Sequence, residues 1–162
     1  MRLTGKTRTL RGTLTFPQRG GGTPSNSGKR LLILDDGRIN VGYKIIDFVI
    51  FNSSLSGNTS AFGSEAYLSL SKEPVADALP AAEDNREIAW AMYDTGTGYT
   101  TAQWSLVDPD HLVVRDLQIL FPSVSNLAES QVNYYILMEE YDITDTEAII
   151  TIIKEESQDV DN

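Results

Sequence analysis

The segment Arg38-Ile-Asn-Val-Gly-Tyr-Lys-Ile-Ile-Asp-Phe-Val-Ile50 decides the fold class. Ile39, Val41, Tyr43 and Ile45 alternate with Arg38, Asn40, Gly42 and Lys44, the two-residue period of a strand. The phase then slips, because Ile46, Phe48 and Ile50 continue the apolar series one residue out of step. A β-bulge at Ile45-Ile46, or burial of both faces, accounts for the slip.

Upstream, Leu31-Leu-Ile-Leu34 is a short apolar run followed by Asp36-Gly37. Asp-Gly between two such runs predicts a hairpin, because both central positions of a type I′ turn need positive φ. Residues 7–16 alternate with Leu10, Leu14 and Phe16 on one face, another strand. Between them, residues 17–28 are rich in Gly, Pro and Ser and form a linker or surface loop.

Downstream the same period recurs. Ala66, Leu68 and Leu70 mark a strand over 64–71. Ile88, Trp90 and Met92 mark a second, and Ala102, Trp104 and Leu106 a third. The turn Asp94-Thr-Gly-Thr-Gly98 joins the last two as a hairpin. In each, the tryptophan is in phase with aliphatic neighbours and is expected in the core. A strand from Leu112 to Phe121 slips phase at Arg115-Asp116, and Val132 to Ile143 is a further strand. Thr144-Asp-Thr-Glu147 fits a capping box, and Ile149, Ile152 and Ile153 then share one helical face. The rival for this segment is a final β-strand.

About eight strands without alternating helices predict an all-β, antiparallel β-sandwich with a short C-terminal helix. Several long connections suit an eight-stranded jelly roll best, with an immunoglobulin-like sandwich as the alternative.

Charge divides the chain. Residues 1–34 hold seven bases (Arg2, Lys6, Arg8, Arg11, Arg19, Lys29, Arg30) and no acid, while the rest holds all 23 acids against six bases. We therefore expect residues 1–30 to be a basic N-terminal arm and Gly-rich linker, and 31–162 the sandwich domain. The seven bases are the candidate contact residues, for a neighbouring subunit or for nucleic acid.

Catalytic and metal sites are not expected, and no cofactor is. There is no Cys, and His111 is the only histidine. Asp94-Thr95-Gly96 matches the aspartic protease signature, but Thr97 stands where that family has Ala or Ser, and no later apolar-apolar-Gly segment supports it. Gly22 to Arg30 differs from a phosphate-binding loop in spacing, in its last residue and in leading to a strand. His111 beside Asp108 and Asp110 reads as turn chemistry. Asp35, Asp36, Asp108, Asp110, Asp142 and Asp145 could serve calcium, yet lack EF-hand spacing. Tyr99, Tyr134, Tyr135 and Tyr141 are candidate surface aromatics for a glycan or receptor. No window is long and apolar enough for a membrane helix.

Two passages, Trp104-Ser-Leu-Val-Asp-Pro-Asp-His-Leu-Val-Val-Arg-Asp-Leu117 and Asn133-Tyr-Tyr-Ile-Leu-Met-Glu-Glu-Tyr-Asp-Ile143, resemble short proteins encoded by marine bacterial viruses. With the basic arm and acidic body, the chain looks like a small single jelly-roll virion protein. That resemblance implies a capsid or capsid-associated component, synthesised in the host cytoplasm and located in the virion. Its partners would be copies of itself or other capsid proteins, with the arm reaching a neighbour or the packaged genome. A carbohydrate- or receptor-binding module and, more remotely, a retropepsin-like protease are the alternatives.

Overall fold

The computed structural model describes residues 1–16, 28–34, 38, 40–52, 65–71, 86–94, 102–114, 116–121 and 130–157. They form β1 (Arg2–Phe16), β2 (Gly28–Ile33), β3 (Val41–Asn52), β4 (Glu65–Ser71), β5 (Glu87–Asp94), β6 (Ala102–Val107), β7 (Asp116–Phe121), β8 (Ser130–Asp142) and helix α1 (Asp145–Ser157). The chain is thus mostly β with one short C-terminal helix. Every strand pairing is antiparallel, in a three-stranded sheet of order β1-β8-β3 and a five-stranded sheet of order β2-β7-β4-β5-β6. Neither sheet forms a barrel.

Strand β8 is the spine of the smaller sheet. It pairs with β1 from Arg2↔Asp142 to Phe16↔Ser130, and with β3 from Val41↔Asp142 to Asn52↔Val132. Its even positions Val132, Tyr134, Ile136 and Met138 are buried, while the odd positions from Asn133 to Tyr141 are half-buried. This alternation follows from the pleat, which sends successive side chains to opposite faces. The buried set joins Phe48 and Ile50 of β3, Ile88 and Ala91 of β5, and Leu117 and Ile119 of β7 in one apolar cluster. Both sheets therefore bury their inner faces in a common core, the dominant favourable contribution to folding.

The bulge expected in β3 is present: the register against β8 shifts between Ile45 and Asp47. The extra residue leaves Ile46 exposed and returns Phe48 and Ile50 to the core. Strands β5 and β6 pair from Ala89↔Val107 to Asp94↔Ala102, as the hairpin expectation requires. The phase slip at Arg115-Asp116 marks a change of sheet rather than one continuous strand. Before it, Val113 bridges to Tyr43 of β3; after it, β7 pairs with β2 and β4.

Other expectations are corrected. Strands β2 and β3 do not form a hairpin, since β2 pairs with β7 and β3 with β8. Asp36-Gly37 itself lies outside the described residues. The capping box forms: Thr144 N–H donates to Glu147 Oε2 at 2.8 Å, and Glu147 N–H to Thr144 Oγ1 at 3.2 Å. Two residues of the expected isoleucine face of α1, however, are not on its buried side, and the side chain of Ile152 lies outside the described residues. Ile149 and Ile153 are 54% and 57% exposed, and α1 instead seats Ala148 against Val114 and Ile143. A small side chain lets the helix backbone approach closely, which leaves Ile149 and Ile153 outside the contact. Trp90 is buried, but Trp104 is 47% exposed, because β6 is the last strand of its sheet.

Candidate interaction surface

Residues 2–16 of the expected arm are not separate from the domain. They are β1, an edge strand whose Leu14 is buried in the common core. The basic residues follow the same pleat. Arg8 opposes buried Met138 and Arg30 opposes buried Ile119, so both guanidinium groups point inward at the seam between β1 and β2.

There they form a reciprocal clasp. Arg8 of β1 donates to the carbonyl of Leu34, just beyond β2, at 2.9 Å, and to the Tyr43 hydroxyl at 3.2 Å. Arg30 of β2 donates to the carbonyl of Thr13 in β1 at 2.9 Å. Each guanidinium also lies over a tyrosine ring, Arg8 at 5.4 Å from Tyr43 and Arg30 at 5.9 Å from Tyr134. Gly12 makes room for this. A Cβ at position 12 would stand 2.7 Å from the Tyr134 hydroxyl oxygen.

The other end of β1 meets the acidic C-terminal region. The Met1 ammonium lies 2.8 Å from Glu147, Arg2 lies 3.1 Å from Asp142, and Lys6 lies 3.4 Å from the buried Glu140. Arg38 approaches the other oxygen of Glu140 at 3.7 Å. The hydrogen bond from the Met1 ammonium, then those from Thr144, hold the Glu147 carboxyl down to about 2. Of the seven candidate bases, Arg2, Lys6, Arg8 and Arg30 thus touch groups of their own chain. Arg11 is exposed, Lys29 contributes its backbone to β2, and Arg19 lies outside the described residues.

Among the described residues, the remaining sequence candidates do not converge. His111 Nδ1 sits 3.0 Å from Asp108, whose other oxygen accepts the Asp110 N–H at 3.0 Å, an Asx-type turn. Among the described residues no three His, Asp or Glu side chains are grouped to hold a metal ion. Asp94 ends β5, and residues 95–101 lie outside the description, as do Asp35, Asp36 and Tyr99. Tyr134 is buried, contrary to its expected place on the surface, while Tyr135 and Tyr141 are half-buried.

The strongest exposed feature is one that periodicity reads as core. Gln103, Trp104, Ser105 and Leu106 of β6 are all exposed, so both faces of this strand meet solvent. Val49 of β3 joins Gln103, Trp104 and Ser105 around an open cleft of about 280 Å³. Gln103 crosses to β3 and donates to the Ile50 carbonyl at 2.7 Å. Only the strand order reveals this, because an edge strand and an internal strand can carry the same alternation. No known protein family, curated protein or solved structure matches the chain.

Proposed function

We propose that this chain is a jelly-roll structural subunit, a capsid or capsid-associated component of a virion, acting through contacts with copies of itself or other capsid proteins. The observation that carries the proposal is the strand order. A long antiparallel ribbon with strands 1 and 8, 2 and 7, 3 and 6, and 4 and 5 side by side wraps into sheets 1-8-3-6 and 2-7-4-5. This chain has β1-β8-β3 in one sheet and β2-β7-β4-β5 within the other. Its departure is β6, which hydrogen bonds with β5 and reaches β3 through the Gln103 side chain.

Jelly rolls serve in capsids, lectins and cupins, so the fold alone does not choose between them. The resemblance of residues 104–117 and 133–143 to short marine viral proteins points to a viral source, and for a viral jelly roll the capsid role is the favoured one. The exposed apolar surface of β6 on a chain of net charge −10 also favours it, since like-charged subunits associate most readily through an uncharged patch. Among the described residues, exposed Arg11 and Arg2, whose side chain is 83% exposed despite its ion pair, are the bases most open to nucleic acid.

Sizing and negative-stain electron microscopy of the purified protein test the proposal. Rings, shells or regular particles are expected. A monomer at all accessible concentrations, with or without salt, counts against it. A second reading, glycan binding, draws on Trp104 beside the Val49–Gln103 cleft. Glycan-array binding by a monomer, abolished in Trp104→Ala, would favour that reading instead.

A further inference from the structure

The two sheets have four edge strands, β1, β3, β2 and β6, and three of them carry devices that discourage pairing with another chain. Strand β1 has four bases and an irregularity between Leu3 and Thr7, where Gly5 adopts φ 79°. Strand β3 has its bulge, its Tyr43 bridge to Val113 and the Gln103 amide on Ile50. Strand β2 contains Lys29 and Arg30, the latter pointing inward to Thr13. Strand β6, Ala-Gln-Trp-Ser-Leu-Val, has no charge, no Pro and no register shift, and among the described residues its second edge pairs with no strand.

The direction of its backbone groups can be read from the hairpin. The Asp108 N–H donates to the Ile88 carbonyl at 2.9 Å, continuing the Ala89↔Val107 register by one residue. Backbone groups alternate sides along a strand, so Leu106 and Trp104 also address β5. The N–H and C=O groups of Gln103, Ser105 and Val107 therefore address the open edge.

We infer that β6 pairs, antiparallel and about a two-fold axis, with β6 of a second copy of this chain, with Ser105 on the axis. In that register Ser105 exchanges both backbone hydrogen bonds with its counterpart, and Gln103 and Val107 of one copy face Val107 and Gln103 of the other. The two-fold axis keeps each sheet face on its own side, so only registers that oppose residues of like parity are possible. Trp104 then stands opposite Leu106 of the second copy, twice, at non-hydrogen-bonded positions where side chains lie closest. This covers the two large apolar side chains that β6 exposes, 47% and 58% in the single chain. A neighbour of opposite charge is not favoured here, because β6 offers it no ion pair. The inference rests on the proposed self-assembly and names its contact.

Ser105→Pro tests it, because the substitution removes the N–H that each copy donates at the axis while leaving the bonds to β5. The wild-type chain should sediment as a dimer or larger species, with amide exchange at Gln103, Ser105 and Val107 slowed by about tenfold or more on dilution reversal. Ser105→Pro and Trp104→Lys should both sediment as monomers, with Ala89 and Ala91 amides as protected as in the wild type. A dimer that persists in folded Ser105→Pro overturns the pairing. Particles formed by that variant overturn the pairing but leave the assembly proposal standing. Dimers lost in both variants, with no larger particle from the wild type, support the pairing and count against the capsid role. A monomeric wild type overturns both.

Discussion

Arg8 and Leu34 lie 26 residues apart and on opposite sides of a seam, yet the Arg8 guanidinium donates to the Leu34 carbonyl at 2.9 Å. With Arg30 on Thr13, this contact ties the edge of one sheet to the edge of the other. Charge-assisted hydrogen bonds to main-chain carbonyls hold the seam without requiring a counter-charge. Arg8→Met keeps much of the stem and removes the donors, so it should lower unfolding free energy by about 1–3 kcal/mol. Arg11→Met, on the exposed face of the same strand, should change it by less than about 0.5 kcal/mol. Urea midpoints for the two variants make the comparison. Equal, small effects would show that the seam does not need Arg8.

Removing residues 1–16 is a stronger test of how the N-terminal segment belongs to the domain. The deletion takes away β1, uncovers an edge of β8 and removes buried Leu14 from the common core. The truncated chain should lose near-ultraviolet circular dichroism and dispersed amide resonances, and should aggregate through the freed edge. A truncated chain with native spectra would restore the arm as a dispensable appendage.

That outcome also shows where the sequence was legible. Alternation and short apolar runs located all eight strands, and the slip at Ile45-Ile46 located the bulge, because these are local consequences of which side chains must face inward. Sheet membership was not legible. Asp36-Gly37 looks like a hairpin turn between β2 and β3, but those strands take partners far along the chain, Asp116–Phe121 and Ser130–Asp142. The basic residues misled for a related reason. A run without acids looks like a free arm, yet its opposite charges, Glu140, Asp142 and Glu147, lie more than 130 residues away. Trp104 and Leu106 carry the alternation of core residues because their strand is half of a hairpin; only its terminal position leaves them uncovered.

Acid should weaken the junction between β1 and α1. The Glu147 carboxyl titrates near 2 when folded against an ordinary value of 4.5, so the unfolded chain binds its proton first as pH falls. Its contribution is therefore complete above about pH 4.5 and is lost as pH drops towards 2. Glu147→Gln retains an acceptor for the Thr144 cap but not the charge facing Met1. Melting temperatures of the two proteins should differ by a constant amount from pH 7 to about 5 and converge towards pH 2. A difference that stays constant to pH 2 would remove the ion pair as its source.

The last prediction concerns the absent side chain at Gly12. A Cβ there would lie 2.7 Å from the Tyr134 hydroxyl oxygen and 2.9 Å from its Cζ, and Tyr134 is a buried ring beneath the Arg30 guanidinium. A flexible surface side chain could step aside, whereas a packed ring must move with its neighbours, at a cost of about 1–3 kcal/mol. Gly12→Ala should lower the urea midpoint accordingly. Tyr134→Phe in the same chain should recover part of the loss, because it removes the nearest atom but leaves Cζ in place. Tyr134→Leu should recover more of the steric component while forfeiting the ring under Arg30, so the coupling energy in that double-mutant cycle should be favourable. Strict additivity of either pair would mean that β1 shifts away from β8 instead, and that Gly12 is not held against Tyr134.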